Sequence, residues 1–183
     1  NFPFVTVVDV PVNQGYGYGI LQGLKAAKGD IIGWTHADLQ TDPEDVARAY
    51  RWIRSQAKPE RCFVQGRRLG RPLGDRFFTK AMGLLASIVL CRDIRHINAQ
   101  PKLFASLFFE TWKNPPHDFS LDLYAIMMAR QKGLDVKIID VQFPPRPHGV
   151  SKWAATFRGR LKMIWRSFKF IFVLRWRSWL GQL

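Results

Sequence analysis

The sequence predicts a single α/β domain, and three observations carry that reading. Between residues 4 and 65, apolar runs of strand length alternate with stretches of helical periodicity in the order β-α-β-α-β. One of those runs, Asp30-Ile31-Ile32-Gly33-Trp34, leads directly into a polar loop and a helix start, the junction at which open α/β sheets hold ligands. Hydrophobic residues make up 47% of the 183 residues and aromatics 14%, which suffices for a buried core and argues against disorder.

In chain order, residues 4–10 form a β-rich run, followed by the turn Asn13-Gln14-Gly15-Tyr16-Gly17-Tyr18-Gly19. Residues 20–28 read as a short helix with Gly29 just beyond its end. The three glycines either let backbone amides approach an anion or simply allow a tight turn. Residues 30–35 form the next strand. Residues 43–57 read as an amphipathic helix with Val46, Ala49, Tyr50 and Ile53 on one face, and Cys62-Phe63-Val64-Gln65 as a further strand. Residues 75–90 are expected to be helical with the stripe Phe78, Met82, Leu85 and Val89, and residues 120–132 form a helix with Ser120 as N-cap and Gly133 as its stop. Residues 136–143 read as a strand.

The loop His36-Ala37-Asp38-Leu39-Gln40-Thr41-Asp42 organises the rest. Asp42 suits an N-cap and Pro43 the first helical position, while Glu44 and Asp45 place negative charge at the positive end of the helix dipole. Asp38 and Gln40 offer oxygen ligands at the carboxyl end of a strand, which suits a hard cation such as Mg2+ or Mn2+ shared with phosphates. The blander alternative is a solvated loop that only caps the helix.

The balance of 28 Lys and Arg against 14 Asp and Glu gives a net charge of +14 and implies an anionic partner. Charge alone would motivate nucleic acid, and no recognition motif accompanies it, so no nucleic-acid partner is expected. The cations cluster. Arg67, Arg68, Arg71 and Arg76 lie on a glycine- and proline-broken stretch, and Arg146, Ser151 and Lys152 on another, where their donors match phosphate oxygens. Asn98, Gln100 and Lys102 either face a site or form a turn. Residues 154–183 alternate Trp and Phe with Arg and Lys and read as a basic amphipathic helix in a membrane interface; packing on the domain's own core is the alternative. No apolar run is long enough to span a bilayer, and Cys62 and Cys91 show no pairing pattern.

Taken together, Asn13…Gly15-x-Gly17-x-Gly19, Gly29-Asp30, Ala37-Asp38-Leu39-Gln40-x-x-Pro43, Gly66-Arg67-Arg68, Arg76, Asn98-x-Gln100 and Arg146-x-x-Gly149-x-Ser151-Lys152 resemble family 2 glycosyltransferases of the polyprenyl-phosphate, dolichol-phosphate mannosyltransferase-like type. The resemblance covers residues 5–153. It implies a nucleotide-sugar-binding glycosyltransferase A-type fold with a mixed, mostly parallel sheet in residues 1–153, and a C-terminal basic amphipathic helix in 154–183. It also implies inverting transfer of a hexose from a GDP- or UDP-sugar to a polyprenyl phosphate, on an anionic membrane surface at the cytoplasmic face. By the same resemblance, Asp38 and Arg76 are the catalytic groups, and Asp38, Gln40 and His36 the metal site. Asn13, Gly15, Gly17 and Asp38 would bind the donor. Arg67, Arg68, Arg76, Asn98, Gln100, Arg146, Ser151 and Lys152 would bind phosphate and acceptor.

His36 stands where that family carries the first aspartate of its metal motif, so this position supplies no negative charge. The family's first strand and base-binding motif precede the matched region, which reads as an N-terminally truncated chain. A phosphate acceptor is ionised at neutral pH and attacks without a base, whereas a hydroxyl acceptor would need a carboxylate such as Asp118 or Asp122. Two alternatives accompany this expectation: a family 2 transferase acting on a hydroxyl acceptor, and a degenerate, non-catalytic membrane-binding module.

Overall fold

The computed structural model describes residues 3–38, 40–71, 73–144 and 157–183. Its elements run α1 (Tyr16–Ala26), β1 (Ile31–Trp34), α2 (Pro43–Arg54), β2 (Cys62–Leu69), α3 (Leu73–Leu90), β3 (Lys102–Ala105), α4 (Ser106–Glu110), α5 (Leu121–Gln131), β4 (Asp135–Gln142) and α6 (Phe157–Trp179).

The four strands form one mixed sheet in the order β1-β3-β2-β4. β3 pairs antiparallel with both β1 and β2, and β2 pairs parallel with β4. Strands β1, β2 and β4 therefore run the same way, and their carboxyl ends share one edge of the sheet.

Period-two side-chain alternation splits the core. On β2 and β3, Phe63 and Phe104 stack with centroids 5.6 Å apart on one face, where α1, α3, α5 and α6 pack. Val64 and Leu103 point to the other face, where α2 contributes Ala49 and Ile53. Fully burying side chains such as Phe63 and Phe104 stabilises the fold by about 1.5–3 kcal/mol each. Helices thus cover both faces of the sheet, as the alternating sequence pattern predicts.

Several local features follow the sequence closely. The Asp42 side chain accepts from the Glu44 amide at 2.8 Å with Pro43 opening α2. Gly133 adopts φ 68° beyond α5, and the Leu134 amide reaches back to the Ala129 carbonyl at 2.9 Å, closing a Schellman motif.

Other expectations are corrected. Residues 4–10 form no strand; they lie exposed, because no partner strand among the described residues pairs their backbone. The glycine-rich stretch runs into the first turn of α1, which begins at Tyr16 rather than at residue 20. Gly29 is not its cap, since α1 already ends in the extended residue Ala27. Tyr50 is 46% exposed and leaves the buried face of α2 to Ala49 and Ile53. At α5, Asp118 rather than Ser120 supplies the side-chain cap, accepting from the Ser120 amide at 2.9 Å. β2 continues four residues past Gln65, so Arg67 and Arg68 sit on a strand and not on a loop. Gly66 permits this: a Cβ there would stand 2.2 Å from the Gln100 carbonyl oxygen, where the 100–101 segment crosses.

The C-terminal helix divides the two readings offered for it. Ile171 and Leu174 are fully buried in the core shared with α3, so one side packs internally. The opposite side leaves Trp165, Phe172, Trp176 and Trp179 exposed. Among the described residues no helix is long and apolar enough to cross a membrane. The expected boundary between residues 153 and 154 lies outside the described residues.

Candidate active site

Because β1, β2 and β4 end together, three segments meet at one edge: the loop after Trp34, the Arg67-Arg68 end of β2, and Phe143-Pro144 beyond β4. In the first, the Gln40 amide donates to Asp38 Oδ1 at 3.2 Å, and Gln40 Nε2 donates to the Pro144 carbonyl at 3.1 Å. That second bond fixes the orientation of the buried Gln40 amide. Thr35 and Thr41 join the base of the loop through their hydroxyls at 3.3 Å. The His36 ring packs against Phe143 with centroids 5.6 Å apart. Its Nε2 is buried with no hydrogen-bond partner among the described residues. Burial lowers the His36 pKa and Asp38 only partly opposes this, so the imidazole is neutral near pH 7.

Beside this loop lies a cleft of about 730 Å³ between the end of β2, α3 and residues 93–99. Its described lining carries six cations, Arg67, Arg68, Arg71, Arg76, Lys80 and Arg95, against one carboxylate, Asp93. Two of the cations have strong partners. Arg67 forms a bidentate pair with Asp140, which raises the guanidinium pKa through hydrogen bonding. Arg95 grips Asp93 at 2.6 and 2.8 Å and, with Arg130, holds that carboxyl below its ordinary range. Arg71 donates to Thr79 at 3.0 Å. Among the described lining residues, positive side chains outnumber negative ones. Arg68 connects the two parts of the site: it lines the cleft and places its Cζ 4.8 Å from the Phe143 ring centroid, against which His36 also packs.

Beneath the cleft, Lys102 and Asp122 form a buried pair at 2.6 Å. The Lys102 ammonium also donates to the carbonyls of Ile97 and Ala99 at 2.8 and 2.9 Å. Three acceptors consume its three N–H groups, a set only the charged form can satisfy. The other Asp122 oxygen accepts from the Tyr16 hydroxyl at 3.1 Å, and Gln100 Nε2 donates to that hydroxyl. Burial and the Asp122 charge push the Tyr16 pKa up.

The predicted residues therefore separate. Asp38, Gln40 and His36 share one loop; Arg67, Arg68 and Arg76 line one cleft. Gln100 is instead an interior residue, and Asn98 is exposed and absent from the cleft lining. Asn13 closes a local turn by accepting from the Gly15 amide at 2.9 Å. Gly15 (φ 114°) and Gly17 are required for packing, because a Cβ on Gly17 would lie 2.6 Å from the Pro116 carbonyl oxygen. The Tyr18 amide is already taken by the His117 carbonyl. Arg146, Ser151 and Lys152 lie outside the described residues. The lining residues Lys80, Arg95 and His96 were not anticipated; Lys80, one helical turn after Arg76, carried the only legible signal.

The strand ends of this α/β fold carry an acidic loop beside an arginine-rich cleft, at the edge where open α/β sheets hold ligands. The sequence profile of glycosyl transferase family 2 matches residues 1–120, and the chain belongs to that family. Its fold is similar to that of glucosyl-3-phosphoglycerate synthase from Mycobacterium tuberculosis, solved with Mn2+, UDP and glucosyl-3-phosphoglycerate. The TM-score is 0.64 at 17% identity, covering 91% of this chain and 56% of that one, so this chain spans little more than half of that protein's length. No curated protein sequence matches. The expected glycosyltransferase A-type α/β fold with a mixed sheet is confirmed.

Proposed function

We propose that this protein transfers a hexose, with inversion, from a GDP- or UDP-sugar to a polyprenyl phosphate at the cytoplasmic face of a membrane. The observation that carries the reading is the cationic cleft joined through Arg68 and Phe143 to the Asp38 loop. Family membership and the UDP and Mn2+ in the similar structure support a nucleotide-sugar donor and a divalent ion.

A carboxylate, an oriented amide oxygen and a neutral imidazole suit Mg2+ or Mn2+, with Asp38 as the principal ligand and Gln40 and His36 as further ones. Among the described residues no group of three His, Cys, Asp or Glu gathers, so the donor's own phosphates would complete the coordination. Bound there, the cation would neutralise charge developing on the departing diphosphate. Arg68 and Arg76 hold the acceptor phosphate by charge-assisted hydrogen bonds. Arg146, Ser151 and Lys152 would supply further phosphate donors, and residues 154–183 add a membrane-facing helix to a catalytic unit in residues 1–153.

The engagement of the acids at α5 favours a phosphate acceptor over a hydroxyl. Asp118 caps α5 and pairs with Arg166 at 2.7 Å, and Asp122 is committed to Lys102 and Tyr16. Neither is placed as a base, and an ionised phosphate needs none.

Incubation with labelled nucleotide-sugars, Mn2+ and either polyprenyl phosphate or polyprenol tests the reading. Label should enter the phosphate only; transfer to the free alcohol, or to neither in any donor, would overturn it.

A further inference from the structure

The outer faces of α3 and α6 carry large apolar side chains that the fold leaves uncovered. On α3, Phe77, Leu84 and Ile88 are 77, 64 and 66% exposed. Their spacing of seven and four residues makes one strip, roughly opposite the buried Ala86 and Leu90. On α6, Trp165, Phe172 and Trp176 repeat that spacing and Trp179 extends it, opposite Ile171 and Leu174. The helices pack on one another and bury their inner sides in the same core, so both strips face away from it.

Charge says what covers them. Residues 157–183 hold seven Lys and Arg and no Asp or Glu, in a chain of net charge +14. A second copy would meet that face with like charge. An anionic bilayer meets it with opposite charge: indoles sit at the hydrocarbon boundary while flanking cations reach the headgroups. Lys169, 5.2 Å above the Trp165 ring, and the exposed Arg175 occupy such flanking positions. On α3 the strip borders the cleft directly, because Leu84 belongs to both and Arg76 and Lys80 lie between.

We propose that α3 and α6 together form the surface by which the protein seats on an anionic membrane, with the cleft mouth at the α3 edge. A lipid phosphate then enters the cleft while its chain stays in the bilayer along Phe77, Leu84 and Ile88. The nature of that lipid and the membrane-facing role of α6 rest on the function proposed above; the α3 strip does not.

Co-sedimentation with vesicles of equal phosphatidylglycerol and phosphatidylcholine tests it. The unaltered protein should bind them, bind pure phosphatidylcholine far less, and shift its tryptophan emission to shorter wavelength on binding. Phe77→Ser/Ile88→Ser should weaken binding at least about tenfold, as should Trp176→Ser/Trp179→Ser, through lost apolar burial. Tyr50→Ser on α2 should change nothing. Phe77→Ser alone, with a smaller drop, serves if a double variant fails to fold. Undiminished binding of folded α3 variants would overturn the two-helix surface. So would a dimer dissolved by these substitutions in a protein that ignores vesicles. Intact vesicle binding without transfer to phosphate would sink the proposed acceptor and leave the docking surface standing.

Discussion

Two sets of charged groups lie beside each other at the same edge of the sheet and are treated in opposite ways. Lys102 is completely buried, with each ammonium hydrogen committed and the Asp122 carboxylate as counter-charge. Ala99, whose carbonyl accepts from Lys102, also lines the cleft, where the described residues include six cations and one carboxylate. The interior pair is structural: it ties β3, α5 and the 97–99 segment together, and Tyr16 adds α1. In the described cleft lining, positive side chains outnumber the negative ones. Charge that the protein balances itself holds its shape; charge left in excess marks what it binds.

Breaking the buried pair should have the largest effect on stability. Asp122→Ala strands the Lys102 ammonium and should cost about 3–5 kcal/mol by chemical denaturation, whereas Lys102→Met/Asp122→Leu should recover much of it. A single variant as stable as the original would mean that the pair is not the anchor described. Asp38→Ala should reverse the pattern, with transfer reduced about 10²–10³-fold and the melting temperature unchanged. Arg68→Ala and Arg76→Ala should each raise the acceptor KM about tenfold, Arg76→Ala without altering melting and Arg68→Ala with a small drop from its lost stacking on Phe143, and added salt should raise KM further in the unaltered enzyme. Equal KM values in the cleft variants would erase the contrast with Lys102.

The smallest effect concerns His96, whose pKa burial lowers, with Arg67 and Arg95 adding to the shift. A base depressed in the folded state is protonated first in the unfolded chain. Its stability contribution is therefore complete above the unfolded pKa of about 6.5 and falls as pH drops below it. His96→Gln should flatten the melting temperature against pH on the acid side, though His36, shifted the same way, retains part of the slope.

Local signals in the sequence were strong where one turn of chain decides the structure. Asp42-Pro43 and Gly133 ended helices as their chemistry requires, and Arg67, Arg68 and Arg76 could be grouped because they are near in sequence. What escaped depends on distant partners. Gly15 and Gly17 suggested a ligand loop, yet their need comes from the 116–118 backbone pressed against α1. Lys102 and Asp122 are twenty residues apart and gave no sign of meeting. Asn98 and Gln100 look alike as polar turn residues, and only the crossing of 100–101 over β2 sends one inward and leaves the other exposed. On α6 the periodicity was legible, but the choice of Ile171 and Leu174 as the inner side depends on the core shared with α3.

A crystal soaked with nucleoside diphosphate, Mn2+ and a short-chain prenyl phosphate would test the site as a whole. Anomalous density for Mn2+ should touch Asp38 and the diphosphate, with the prenyl phosphorus lodged between Arg68 and Arg76. A prenyl phosphate bound elsewhere, with the arginine cleft holding only solvent, would contradict the account.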